Sequence, residues 1–127
     1  MVIWHNKKGR KISCGLYHKS RDKRKSELGR ASALTKVDEK DSVKTIKCRG
    51  NTEKIRALRL STANVFDPVS KKFQKAKIKS VVENQSSRHY ARMKVMTKGA
   101  IIDTSAGKAK ITNRPGQEGV INAVKLA

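Results

Sequence analysis

Three features of this 127-residue sequence predict a mainly β protein. The expected body is a small closed or partly open β-barrel of about six strands, preceded by an extended basic N-terminal arm. Short β-favouring runs recur between turn signals about every ten residues from residue 42 onward. Within 73–83, apolar residues alternate with lysines, the period of a half-buried strand. The first thirty residues show no sustained apolar period. The division that follows is arm and hinge over 1–41 and barrel over 42–127.

The arm holds ten Lys or Arg (Lys7, Lys8, Arg10, Lys11, Lys19, Arg21, Lys23, Arg24, Lys25 and Arg30) against Asp22 and Glu27, a net +8. Such a segment buries too little apolar surface to offset its ordering entropy, so it should order only against a partner. Residues 18–28 could form a short basic helix once neutralised. The hinge, 31–41, ends in the acidic run Asp38-Glu39-Lys40-Asp41.

The strands are expected as follows. Run 42–49 carries Val43, Thr45, Ile46 and Cys48, and 54–60 mixes charge with apolar residues. In 73–83, Ala76, Ile78, Ser80 and Val82 should face one way and Lys75, Lys77 and Lys79 the other. In 91–97, Met93, Val95 and Thr97 oppose Arg92, Lys94 and Met96. Runs 100–104 and 108–112 flank Ser105-Ala106-Gly107, a hairpin turn with glycine where positive φ is wanted. Run 119–126 is the last strand. No internal repeat is visible.

Charge points to the partner. There are 31 Lys or Arg against 10 Asp or Glu, a formal net charge of +21. That is about one uncompensated cation every six residues, and it destabilises a compact state unless a polyanion neutralises it. Nucleic acid is the polyanion that best fits, because its phosphates attract Lys and Arg and binding releases counterions. An anionic membrane surface is the other candidate. Apolar residues are 36% and aromatics only 4% of the chain, so part of it contributes nothing to a core. No stretch of about 18 apolar residues and no signal-like apolar start occurs, so a cytoplasmic location is expected, with no membrane partner.

Catalysis has little material. No Gly-x-Ser-x-Gly, His-Glu-x-x-His or Gly-x-x-x-x-Gly-Lys pattern is present. Cys14, Cys48, His5, His18 and His89 are too scattered for a zinc finger. Cys48 is expected in a strand and Cys14 in a loop. No cofactor, metal or small-molecule substrate is expected.

The candidate RNA-binding residues are therefore cations and rings. The arm packs Arg21, Lys23, Arg24 and Lys25 into five residues, and Trp4 and Tyr17 interleave with its cations as possible stacking groups. In the body, Arg49, Arg56 and Arg59 are candidates. Ser87-Arg88-His89-Tyr90-Ala91-Arg92 offers Arg88, Arg92 and His89 in a turn-to-strand connection suited to phosphate forks and stacking. The Lys75/Lys77/Lys79 stripe either faces RNA or guards an edge strand against aggregation. Arg114-Pro115-Gly116-Gln117-Glu118-Gly119 reads first as a turn between strands; the alternative has Arg114 and backbone N–H groups touching a phosphate.

Four segments, in order along nearly the whole chain, carry a resemblance. They are Lys23-Arg24-Lys25-Ser26-Glu27-Leu28-Gly29-Arg30; Ile46-Lys47-Cys48-Arg49-Gly50-Asn51 with Ala57-Leu58-Arg59-Leu60; Arg88-His89-Tyr90-Ala91-Arg92 with Thr97-Lys98-Gly99-Ala100-Ile101-Ile102; and Thr112-Asn113-Arg114-Pro115-Gly116-Gln117-Glu118-Gly119-Val120. They resemble the archaeal and eukaryotic small-subunit ribosomal protein family numbered eight, of the eukaryotic type. The short length looks like the archaeal form. The resemblance implies a structural, non-enzymatic protein bound to small-subunit ribosomal RNA beside neighbouring ribosomal proteins, with a barrel-like body and a basic arm. Two departures stand out: Cys14-Gly15 replaces a usual Gly-Gly pair, and Arg49-Gly50-Asn51 replaces Gly-Gly-Asn. The alternative function is a free, non-specific RNA chaperone or nucleic-acid-binding protein working through charge alone; an enzyme acting on RNA is the third.

Overall fold

The computed structural model describes residues 3–4, 9–18, 21 and 24–126; the side chains of Ile3, Trp4 and Arg49 lie outside the description. The chain forms two units, 1–32 and 33–127.

In the first unit, β1 (Ile3–Trp4) pairs antiparallel with β2 (Leu28–Gly29). A 3-10 turn, Lys25–Glu27, is the helical structure among the described residues of 18–28, where a short basic helix was expected. Cys14 sits in a turn at φ 62, the left-handed region that glycine adopts without strain.

The second unit is built on a closed five-stranded barrel in the order β10-β6-β7-β8-β9. A separate three-stranded sheet, β3-β5-β4, accompanies it. In chain order the strands are β3 (Lys36–Val37), β4 (Ser42–Lys47), β5 (Glu53–Leu60), β6 (Thr62–Asp67), β7 (Lys72–Glu83), β8 (Ile101–Thr104), β9 (Gly107–Ile111) and β10 (Asn122–Lys125). Two one-turn helices interrupt them, α1 (Arg88–Arg92) and α2 (Pro115–Glu118). The expected hinge, 31–41, contains β3, which runs parallel to β5 with Lys36 beside Arg59 and Val37 beside Leu60.

The barrel is antiparallel except where β10 runs parallel to β6, which closes it. Its core is aliphatic and small, with Ala63, Val65, Ala76, Ile78, Val81, Ile102, Ala109, Ile111, Ile121 and Ala123 all buried. Alternation along β6 and β7 produces this: Ala63 and Val65 face in, as do Ala76 and Ile78, while their neighbours face out. Small residues let a five-stranded barrel close without an internal void.

Three expectations need correction, and one strand had not been expected. The run 91–97 is not a strand. Its first residues finish α1, because the Ser87 hydroxyl accepts a bond from the His89 N–H and caps a helical turn. In β7, register shifts lie between Ile78 and Ser80 and between Val81 and Glu83, so Val81 is buried and Val82 is exposed. The strand β6 carried no expectation, because Asn64 in its middle masks the alternation. Cys48 follows β4 rather than lying in it. The hairpin between β8 and β9 turns at Ser105-Ala106, with Gly107 at φ 111 opposite Thr104. At 49–51 the positive φ values fall on Gly50 (73) and Asn51 (57). The turn therefore does not require glycine at Arg49.

Candidate nucleic-acid interface

Cations line the outside of the barrel because β alternation sends every second residue outward. Lys75, Lys77 and Lys79 are exposed along β7, and Lys108 and Lys110 along β9. β7 pairs with β6 over residues 72–77 and with β8 over 78–83, so each half has one ladder partner in the described registers. Lys75 and Lys77 thus both face outward within the half of β7 laddered to β6. Both roles expected for this stripe remain compatible with that placement.

The β4–β5 ribbon concentrates charge. Lys44 stands directly opposite Arg56, and Lys54 opposite Ile46, so Lys44, Lys54 and Arg56 share one face. Like charges opposed across strands repel, and a phosphate between them removes the repulsion. Sequence reasoning singled out Arg56 and missed its two lysines, which register alone brings to it. Arg59 is exposed, and its Nη1 donates to Asp38 Oδ2 at 2.8 Å. Arg49 lies in the 3-10 turn after β4.

α1 gathers the guanidiniums that the sequence placed in a turn-to-strand connection. Arg88 and Arg92 are one helical turn apart, so they share a face, and His89 is exposed beside them. Tyr90 is half-buried. The segment is pinned at both ends by Asn84, which is buried. Its Nδ2 donates to the Val95 carbonyl at 3.0 Å, and its Oδ1 accepts from Ser86 N–H at 3.0 Å and Thr97 Oγ1 at 2.9 Å. One amide therefore clips the chain before α1 to the chain after it and fixes where Arg88 and Arg92 project.

α2 is a turn. Pro115 opens it and Gly119, at φ 76, closes it. The Glu118 carboxylate accepts from the Arg114 N–H at 3.5 Å and from Asn113 Nδ2 at 3.0 Å. The protein's own carboxylate thus occupies the place where a phosphate would meet that N–H. The exposed Arg114 side chain is the part of this loop that can reach an anion.

In the first unit, Arg10 Nη1 donates to the Cys14 carbonyl at 2.9 Å, and Arg21 forms an ion pair with Glu27. Lys11, Arg24, Lys25, Arg30 and Tyr17 are exposed. Lys7, Lys8, Lys19 and Lys23 lie outside the described residues.

Among the described residues, no group of three or more His, Cys, Asp or Glu could hold a metal ion. No helix among them is long and apolar enough to cross a membrane. Among the described residues, Asp67 is the carboxylate with a shifted proton affinity. Its Oδ1 accepts from the Val69 N–H at 3.1 Å, and with help from Lys125 this holds it below the usual carboxylate value despite partial burial. It anchors a turn.

These features define a small polycationic β-barrel protein with outward-facing Lys and Arg on several strands and a helical turn. Residues 4–126 match the family model described as ribosomal protein S8e. The chain belongs to that family. It is 50% identical over 125 residues to the small ribosomal subunit protein eS8 of Methanocorpusculum labreanum, covering 98% of this chain and 99% of the relative. It is 45% identical over 126 residues to the eS8 of Sulfolobus acidocaldarius and 42% identical over 126 residues to that of Methanococcus maripaludis, in each case over 99% of this chain and 98% of the relative. All three sources are archaeal.

Proposed function

We propose that this chain is a structural constituent of the small ribosomal subunit, where it binds and stabilises small-subunit ribosomal RNA beside neighbouring ribosomal proteins in the cytoplasm. The family match over residues 4–126 carries the reading. The +21 charge supplies the physical reason, since a chain this basic gains stability from a polyanion.

The work divides between arm and body. The ten arm cations wrap RNA and order upon it, their ordering entropy offset by counterion release. Arg88, His89 and Arg92 on α1, with Arg49, Arg56, Arg59 and Arg114, form directional contacts from a rigid body. The protein acts by holding RNA in place and carries no reaction.

Hydroxyl-radical footprinting of small-subunit rRNA with the full chain tests this. One saturable set of protected sites is expected. Uniform weak protection that scrambled RNA removes equally well would favour the free, non-specific RNA chaperone instead.

A further inference from the structure

We infer that the outer face of β6, β7 and β10 holds one unpaired RNA base, stacked on Phe73 and read by Asn64 and Asn122; this rests on the RNA-binding reading above. The chain has two phenylalanines, and neither enters the core. Instead Phe66 and Phe73 face each other across β6 and β7 on the outside of the barrel, ring centroids 4.8 Å apart and tilted by 43°. Phe73 is 77% exposed. A ring pair needed only to stabilise a hairpin gains by being covered, whereas this one offers most of Phe73 to solvent.

What surrounds the ring has the chemistry of a nucleotide. Strand register places Lys75, Asn64 and Asn122 side by side across β7, β6 and β10. Two residues further along, the same register places Phe73, Phe66 and Val124 in the next row, with Lys110 of β9 opposite Val124. Alternation puts both rows on the outer face. Asn64, Phe73, Gln74, Lys75 and Asn122 line a shallow depression there. Asn64 Nδ2 donates to Asn122 Oδ1 at 3.2 Å, so the two amides orient each other and retain further donors and acceptors for a ligand. Lys75 and Lys110 flank the grid, within reach of a backbone phosphate on either side. An aromatic face, fixed amides beside it and a flanking cation together suit an unpaired base better than a duplex, whose bases are already stacked. The positive surroundings favour RNA over an apolar protein segment.

Two measurements on the full chain test the inference. In base-specific chemical probing of small-subunit rRNA, at least one unpaired base inside the footprint should be protected about fivefold by the natural chain and by Phe73→Trp, but less than about twofold by Phe73→Leu. The backbone footprint should stay the same for all three. The second measurement needs no folded variant. With fluorinated phenylalanine the chain gives two 19F resonances, and the Phe73 line should shift when the footprinted rRNA fragment is added. An unchanged Phe73 line, or identical base protection by Phe73→Leu, overturns the inference while leaving the RNA-binding reading intact. Loss of a neighbouring ribosomal protein from reconstituted subunits with Phe73→Leu, without a deprotected base, assigns the face to protein and also overturns it. Absence of any backbone footprint with the natural chain would remove the RNA-binding reading itself, and this inference with it.

Discussion

Gly119 lies against Ile55 so closely that a Cβ at that position would overlap the Ile55 Cγ2 and come within 3.1 Å of its Cβ. Gly119 also has φ 76. Two independent demands for glycine therefore meet where α2 packs on β5.

Gly119→Ala should accordingly cost about 2–4 kcal/mol, roughly 1–2 from left-handed backbone and the remainder from overpacking. Gly50→Ala provides the comparison. Gly50 has φ 73 but nothing within 4 Å of a built Cβ, so only the backbone part, about 1–2 kcal/mol, applies. Thermal or urea unfolding of the two variants should separate them; equal losses would mean that the Ile55 contact relaxes freely.

Asn84→Ala should destabilise the body by about 2–3 kcal/mol, since it leaves a buried carbonyl at Val95 and a hydroxyl at Thr97 without their amide partner. It should also loosen α1. Amide exchange over 86–97 is expected to rise more than exchange in β6 or β9. A uniform rise would show that the amide stabilises the whole body and does not specifically clip this segment.

Association with rRNA should depend steeply on salt. If about 8–12 phosphates are neutralised, log K against log[salt] should fall with a slope of about −6 to −10. A slope shallower than about −2 would mean that charge does not hold the RNA.

Arm and body should contribute differently. The arm carries +8 of the +21, which leaves the remainder of the chain at +13. Deleting residues 1–30 should weaken rRNA affinity while preserving preference for the cognate site. Arg88→Ala with Arg92→Ala should do the reverse and lower discrimination more than total binding, because planar guanidiniums make directional forks to phosphate. Competition against scrambled RNA reads both. An armless body that binds cognate and scrambled RNA equally would place recognition in the arm.

Asp67 predicts an acid limb. Its proton affinity is lowered by the Val69 N–H first and by Lys125 next. A carboxylate lowered on folding stabilises the native state above its unfolded pKa, and that contribution disappears as pH falls through the folded value. Asp67→Asn should flatten the fall in stability below about pH 4 and leave the shape of the curve above about pH 5 unchanged. Urea unfolding at several pH values would show this; parallel curves for the two proteins would contradict it.

The sequence by itself determined the fold class, the basic character and the family. Strand alternation is a local property, visible where Ala76 and Ile78 alternate with lysines, and net charge needs no structure at all. The Ser105-Ala106-Gly107 turn was legible for the same reason, since turn chemistry resides in adjacent residues. Tertiary structure decided the rest. Asn64 hid β6, a strand fixed by pairing with β7 and by the parallel return of β10 about sixty residues later. The run 91–97 alternates like a strand, yet the Ser87 cap and the Asn84 clip take its start into a helical turn. Two register shifts between β7 and β8 exchanged the roles of Val81 and Val82. The candidate interface followed the same rule. The basic character of Arg88 and Arg92 can be read along the chain, whereas the pairing of Lys44 with Arg56, and the grid of Phe73, Asn64 and Asn122, exist only through strand register. Register is a long-range choice settled by which face each strand can bury, and no short window of residues contains it.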